Sequence, residues 1–240
     1  MDFTSLYSTR IQTSFDDDQD TILKTFLDKL KTKDGSKVNL VNYYNGLPIM
    51  YPATILGVEH GNLDLEVNPQ QAVAIARDHY TLIRSKLFPL PMVAHVQYVN
   101  IKKNMASLNK LYFVEVLAEK RGAVRLSPDP PIRATILYED QVIVGSLVDI
   151  STQGLAITVE TFVMVESGSE LSVKFLLPDP VLMKQTLIKV PATLVGIAGS
   201  AAPYYYKFKI SPEKHHEQLI SRYSFQRQVE IIRGLKDLAD

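Results

Sequence analysis

The 240-residue chain contains neither cysteine nor tryptophan. Without cysteine it can have no disulfide bond, no thiolate zinc site, no iron–sulfur cluster and no cysteine nucleophile. Its start lacks the basic and apolar regions of a signal peptide, and no segment approaches about 18 uninterrupted apolar residues. These absences predict a soluble, cytoplasmic protein that does not insert into a membrane.

An excess of charge of either sign is also missing. The 26 Lys and Arg residues balance 26 Asp and Glu residues, and a cut after residue 117 leaves 12 of each sign before it and 14 of each sign after it. A balanced chain has no general attraction to nucleic acid or to an anionic membrane. The composition therefore argues against nucleic-acid binding, although a single nucleotide could still bind locally.

Most catalytic signatures are absent as well. The chain has no G-x-S-x-G elbow, no phosphate-binding G-x-x-x-x-G-K, no H-E-x-x-H and no dinucleotide-binding G-x-G-x-x-G. Its five histidines never fall at the i, i+4 spacing that places two imidazoles on one helix face. We therefore expect no catalytic residue, no metal and no cofactor.

Residues 1–117 are predicted to form a β-dominated unit that opens with one short amphipathic helix. Acidic residues precede the apolar positions that begin at Ile22, and the helix is predicted to end near Asp34 and Gly35. Strands of period 2 follow, separated by turns such as Asn45-Gly46. The segment 69–86 fits either a helix or a strand and is left open. The predicted strands cover 38–44, 49–58, 63–67, 92–101 and 111–117.

Residues 118–240 begin with a charged, glycine-containing stretch and a proline cluster at 127–131, where we place the domain boundary. Six short strands with turn signals between them predict a small closed barrel or a sandwich. Helical spacing returns from Ser211 to Ala239. The predicted strands cover 133–138, 142–149, 155–159, 170–177, 188–197 and 204–210. The apolar positions of the final helix are predicted to be Leu219, Ile220, Tyr223, Val229, Ile232 and Leu235.

Two arginines four residues apart, Arg121 and Arg125, lie in the junction, with Lys120 beside them. A guanidinium fork matches two phosphate oxygens, and it also matches the O6 and N7 acceptors of guanine. The pair can therefore contact both parts of one nucleotide.

A second half-motif follows Arg125 by 24 residues at Asp149-Ile-Ser151-Thr-Gln-Gly154. Asp149 can accept hydrogen bonds from guanine N1–H and N2–H2, Ser151 offers a hydroxyl, and Gly154 permits a tight turn. The predicted hairpin between the half-motifs returns the chain to the barrel end where it entered. Each half-motif alone is commonplace, because Asp and Ser also cap ordinary strand-end turns.

Together, in this order and at this interval inside a small β domain, the half-motifs resemble the PilZ family of cyclic di-GMP receptors. The resemblance covers about residues 118 to 226. The preceding unit, with its Val41-Asn-Tyr-Tyr-Asn-Gly-Leu-Pro run and its Gln70-Gln71 pair, resembles the split-barrel domain of flagellar-brake-type proteins. The implied fold is mainly β. It has a split-barrel-like regulatory domain at 1–117 and, at 118–240, a six-stranded PilZ-like barrel with a C-terminal helix.

The resemblance implies a ligand site formed by Lys120, Arg121, Arg125, Asp149, Ser151 and Gly154. The two arginines would contact phosphate and guanine, and the last three residues would complete the guanine site. Many relatives have an arginine where this chain has Lys120, which keeps the charge but loses the planar fork.

The implied function is that of a bacterial receptor, not an enzyme, whose ligand is cyclic di-GMP. Because its arginines lie on the segment that joins the domains, the ligand is expected to change the domain arrangement. The output would then be regulation of a protein partner, with the flagellar motor in motility control as the expected target. Two alternatives stay open: a PilZ-like transcriptional regulator that binds DNA, and a flavin-binding split-barrel enzyme.

Overall fold

The computed structural model of the chain describes residues 6–32 and 36–239. The chain divides into two compact units, one comprising Met1–Arg121 with Ile232–Asp240 and the other Gly122–Ile231. Strands predominate in both, so the fold is mainly β, as the sequence predicts. The assignment of 1–117 and 118–240 as functional domains stays a prediction.

The described part of the first unit contains seven strands, two helices and a short 3₁₀ helix at Leu117–Lys120. In chain order the other elements are β1 Tyr7–Thr9, α1 Phe15–Lys29, β2 Lys37–Tyr44, β3 Leu47–Glu59, β4 Asn62–Glu66, α2 Pro69–Asp78, β5 Tyr80–Arg84, β6 Met92–Asn100 and β7 Met105–Val116.

Helix α1 begins where the sequence places an N-terminal cap. The Ser14 hydroxyl accepts a hydrogen bond from the Asp17 amide at 3.1 Å, and acidic side chains occupy the first turn, where the helix dipole favours them. The helix ends at Lys29. Asp34 and Gly35, near which its end was predicted, lie outside the described residues.

The segment that the sequence left open contains one helix and one strand. The Asn68 side chain caps helix α2 by accepting from the Gln70 amide at 2.9 Å, and Pro69 occupies the first turn. His79 ends the helix in the left-handed conformation, at φ 59°. Strand β5 follows at once, which explains why the pattern supported both structures.

The strands of the first unit close into a ring through antiparallel pairing. The order runs β7-β4-β3-β2-β5-β6, and β6 pairs back onto β7. Strand β1 pairs with the end of β7, with Tyr7 opposite Val116. The sequence predicts that this unit opens with helix α1 and predicts no strand before it, because three residues without an apolar pattern give no strand signal.

The second unit contains the predicted closed barrel of six strands, in the order β10-β13-β12-β11-β8-β9. Its core consists of inward-facing side chains from all six strands. The strands are β8 Ile132–Tyr138, β9 Gln141–Ile150, β10 Gly154–Val159, β11 Glu170–Asp179, β12 Lys184–Ala198 and β13 Tyr204–Ile210.

Helix α3, Lys214–Asp237, follows the barrel. Leu219, Ile220 and Tyr223, three of the predicted apolar positions, pack in the barrel core. Val229 and Ile232, also predicted as apolar positions of this helix, are 37% and 48% exposed. Arg227 and Ile231 of the same helix are both buried. No helix in the described ranges 6–32 and 36–239 is long and apolar enough to span a membrane.

Candidate functional site

Backbone hydrogen bonds attach the junction segment to the barrel at Leu126. Its amide donates to the Ile150 carbonyl and its carbonyl accepts from the Ile150 amide, both at 3.0 Å. Both side chains are fully buried. Because side chains alternate along an extended chain, the neighbours Arg125 and Asp149 lie on the outer side, where they are 23% and 24% exposed.

Arg125, Asp149 and Gly154 meet on that outer surface. Arg125 Nη1 lies 3.8 Å from Asp149 Oδ1, and the two side chains are 23% and 24% exposed. A Cβ atom built on Gly154 would lie 2.7 Å from Arg125 Nη2 and 2.8 Å from the carbonyl oxygen of Phe208. The absence of a side chain at Gly154 therefore makes room for the guanidinium group.

Ser151 shapes the turn that carries these residues. It is only 3% exposed, and its hydroxyl donates to the Gly154 carbonyl at 3.0 Å. The same oxygen accepts from the amides of Gln153 at 3.3 Å and Gly154 at 3.1 Å. The Ser151 hydroxyl thus forms its hydrogen bonds within its own turn, as a serine does in an ordinary turn at the end of a strand.

The other two residues of the predicted site belong to the first unit. Lys120 and Arg10 both form ion pairs with Glu115. The hydrogen bond from Lys120 is the main cause, and that from Arg10 the next, of a lowered pKa of Glu115. Arg121 follows the 3₁₀ helix, and its amide donates to the Ala118 carbonyl at 3.4 Å. The structure therefore brings together Arg125, Asp149, Ser151 and Gly154 in one unit and assigns Lys120 and Arg121 to the other.

Two further side chains, Lys209 and Gln153, lie beside the site and were not predicted from the sequence. Lys209 lies directly opposite Gly154 in the β10–β13 register, and its neighbours Phe208 and Ile210 point into the core. Lys209 therefore points outward, on the side of Arg125. Gln153 is exposed, and its Oε1 lies 2.4 Å from a Cβ atom built on Gly122. The alternating Tyr204–Ile210 strand could have indicated Lys209, but only its pairing partner places it here.

This surface offers a guanidinium fork, a carboxylate and an ammonium group within one small area. A fork donates to acceptor pairs, and a carboxylate accepts from donor pairs. The arrangement suits a planar polar ring with both kinds of edge, attached to an anionic group. Within the described residues, no group of three or more His, Asp or Glu side chains could hold a metal ion.

The fold and this surface define the class of the second unit, a small closed β-barrel domain that carries a cluster of basic and acidic side chains on its outer surface. Residues 119–226 match the family model of the PilZ domain, so this part of the chain is a PilZ domain. The resemblance found in the sequence is thereby confirmed for these residues.

Among curated proteins, the chain is similar to an uncharacterized protein of Aquifex aeolicus (strain VF5), with 31% identity over 125 residues. The aligned part is 52% of this chain and 58% of the relative. The chain thus spans less than two thirds of the length of that relative.

Several solved structures are also similar. They include the inhibitor of motility MotI/DgrA of Bacillus subtilis, with 15% identity, 81% of this chain and 96% of that chain covered, and a TM-score of 0.43. YcgR of Escherichia coli in complex with c-di-GMP has 16% identity, 90% and 95% coverage, and a TM-score of 0.43. The K. pneumonia MrkH–c-di-GMP complex has 10% identity, 95% and 100% coverage, and a TM-score of 0.45.

Proposed function

We propose that the chain is a receptor for cyclic di-GMP and that one guanine binds over Arg125, Asp149 and Gly154. The observation that carries the proposal is the 3.8 Å approach of Arg125 Nη1 to Asp149 Oδ1 on a partly exposed surface. A fork of donors and a carboxylate of acceptors stand side by side there. The family of residues 119–226 supports the same conclusion.

The two side chains match adjacent edges of one base. Arg125 would donate to guanine O6 and N7, and Asp149 would accept from N1–H and N2–H2. Gly154 keeps the surface low enough for the base to approach, since a Cβ atom there would meet Arg125 Nη2 at 2.7 Å. Ser151 would act by holding the turn, and Lys209 would face the phosphates.

Lys120 and Arg121 are proposed as further phosphate contacts. In the structure, Lys120 forms an ion pair with Glu115 while its side chain remains 63% exposed. An exposed pair of this kind contributes little stability, so Lys120 can exchange Glu115 for a phosphate at small cost. The junction would then be ordered by the ligand, and the arrangement of the two domains would change.

The proposed output is the regulation of a protein partner, in motility control as in the flagellar-brake-type proteins that the chain resembles. A distance between labels on the two units, measured with and without the nucleotide, tests the conformational part. A distance that changes at saturation supports it. An unchanged distance would contradict the hinge and leave local ordering of the junction as the signal.

Calorimetric titration of the full chain tests the receptor function. Cyclic di-GMP is expected to bind at about micromolar Kd, roughly −8 kcal/mol. The matched control is cyclic di-AMP, which has the same phosphates but an adenine N6 donor where guanine has the O6 acceptor. Equal affinity for both nucleotides would contradict the guanine site, and no heat with either would contradict the receptor function.

A further inference from the structure

A groove follows the outer wall of the second unit where helix α3 lies against the barrel. It consists of two adjoining hollows of about 610 and 460 Å³. Both are bordered by Asp129, Pro178, Gln185 and Tyr223, so they form one continuous surface, here called the β11–β12 groove. The ligand site described above contributes none of these residues.

The groove presents large apolar side chains to solvent. Leu176 and Leu187 lie directly opposite each other on β11 and β12 and are 51% and 58% exposed. Pro130, Pro131 and Tyr223 lie beside them in the same hollow. A contiguous exposed apolar surface of this kind is typical of a protein interaction site.

The hairpin between β11 and β12 extends this apolar surface. Its three consecutive residues Val181, Leu182 and Met183 are 66%, 58% and 86% exposed, and Met183 also borders the groove. Met183 adopts a left-handed backbone conformation with φ 51°, which is uncommon for a residue with a side chain.

The tip of the hairpin is nevertheless fixed in place. The Asp179 carboxylate is 3% exposed and accepts hydrogen bonds from the amides of Val181 at 2.9 Å and Leu182 at 3.1 Å. Arg222 of helix α3 donates to the same carboxylate at 3.1 Å. A buried and fully bonded anchor thus holds apolar side chains in solvent, which pre-organises them for a partner.

Positive charge is in excess around the groove. Its acidic residues all have basic partners: Asp129 and Glu230 pair with Arg227 at 3.3 and 3.2 Å, and Asp179 pairs with Arg222 at 3.1 Å. Its remaining basic residues have no ion-pair partner in the part of the chain that the structure describes. These are Arg133, Lys174 and Lys184.

We infer that the β11–β12 groove is the docking site for the partner protein and that it takes a segment with Asp or Glu residues between bulky apolar ones. The apolar side chains would lie over Leu176, Leu187 and Met183, and the carboxylates would face the excess basic groups. Such complementarity selects a partner and speeds its association.

The groove also shares a chain segment with the ligand site, and this link rests on the proposed function. Arg125 is four residues before Asp129, and Leu126 is attached to Ile150 between them. Arg227 holds the segment to helix α3 by donating to the Ser127 carbonyl at 3.1 Å. The ligand site and the groove therefore lie on one short segment, which is fixed to the barrel at Ile150 and to helix α3 at Arg227.

Selection from a display library of random peptides of about 12 residues, about 40 Å when extended, tests the groove on the full chain without nucleotide. The selected peptides are expected to combine acidic with bulky apolar residues. Lys174→Glu, Lys184→Glu and Leu187→Ser should each weaken the best synthetic peptide at least about tenfold, as expected for a residue that matters at an interface. The matched controls Lys214→Glu and Val142→Ser, at exposed positions outside the groove, should leave its affinity within about twofold.

Enrichment of basic or purely polar peptides would overturn the inference, as would binders that tolerate all three groove substitutions. Binding of phosphatidylglycerol vesicles through the same lysines, with no enriched peptide, would also overturn it and indicate a lipid surface. Because the selection contains no cyclic di-GMP, its outcome is separate from that of the receptor function. Repeating the peptide titration with the nucleotide then tests the link, for which a change of at least about threefold in affinity is expected.

Discussion

Each unit of the molecule carries a cluster of polar side chains against its barrel, and the two clusters differ in how their polar atoms are used. In the first unit, Asn42 and Gln71 are fully buried. Asn42 Nδ2 donates to Asp78 Oδ2 at 2.9 Å and to the Tyr80 carbonyl at 2.8 Å, and Gln71 Nε2 donates to Asn42 Oδ1 at 2.7 Å. In the second unit, Arg125 and Asp149 stay about a quarter exposed at 3.8 Å.

The difference separates a structural cluster from a candidate binding cluster. The buried network attaches helix α2 to β2 and β5, and water cannot replace its hydrogen bonds. The pair is partly exposed, and its charged atoms stand 3.8 Å apart, beyond hydrogen-bond distance. In the proposed function, a ligand would bind these two groups. Residue type alone does not distinguish the two, whereas burial and hydrogen-bond geometry do.

The largest effect on stability is expected from the substitution Asn42→Ala. It should lower the free energy of unfolding of the first unit by about 3 kcal/mol, because Gln71, Asp78 and Tyr80 each lose a buried hydrogen-bond partner. Urea denaturation followed by circular dichroism measures the change, with Asn39→Ala, an exposed residue of the same strand, as the control. A decrease in the unfolding free energy of less than about 1 kcal/mol would mean that the buried network does not stabilise the fold. The proposed difference between the two clusters would then be wrong.

The opposite behaviour is expected from Arg125→Ala. It should weaken cyclic di-GMP binding by about 1–3 kcal/mol, as for a bidentate arginine–guanine contact, and change the unfolding free energy by less than about 1 kcal/mol. Calorimetric titration measures the first quantity and urea denaturation the second. Arg233→Ala, an exposed arginine of helix α3, is the control. If Arg125→Ala and Arg233→Ala bind cyclic di-GMP with equal affinity, Arg125 does not contact the ligand.

Ser151→Ala refines the comparison inside the second unit. The variant should lower the free energy of unfolding by about 1 kcal/mol even without ligand, since the turn loses a buried hydroxyl that donates and accepts hydrogen bonds. Thermal unfolding of the nucleotide-free protein measures this. An unchanged stability combined with a large loss of affinity would instead assign the hydroxyl directly to the ligand.

The smallest effect concerns pH. Burial raises the pKa of Asp78, while the Asn42 hydrogen bond and the charge of Arg77 oppose that shift. A raised pKa in the folded state favours the protonated form, so this contribution to stability is complete below the ordinary value of 3.8 and is lost as pH rises through the folded pKa. The unfolding free energy of the wild type relative to Asp78→Asn should therefore fall across that window. A difference that stays constant or rises with pH would show that burial does not determine the pKa of Asp78.

Much of the barrel in the second unit could be predicted, because its strands have clear alternation and turn signals. The hairpin of β8 and β9 falls within a residue of its predicted bounds. The predictions that failed concern residues whose burial depends on contacts with residues distant in sequence. Helical periodicity predicted Val229 and Ile232 as apolar positions, but both are exposed, and Arg227 is buried because Ser127 and Asp129 accept its hydrogen bonds.

The candidate site was predictable in its residue types and not in its geometry. The motif named Arg125, Asp149 and Gly154, but the attachment that aligns them, Leu126 to Ile150, follows no local pattern. The position of Lys209 opposite Gly154 likewise depends on strand register. Pairing of this kind is set by the whole barrel and is not contained in any short segment.

A structure of the protein bound to cyclic di-GMP tests the central claim most directly. The account predicts one guanine on the outer end of the second barrel, with Arg125 nitrogens and Asp149 oxygens within about 3.2 Å of its polar edges. It also predicts that the hydrogen bonds between Leu126 and Ile150 are preserved. A nucleotide bound elsewhere, or one at this barrel end that contacts neither Arg125 nor Asp149, would contradict the account.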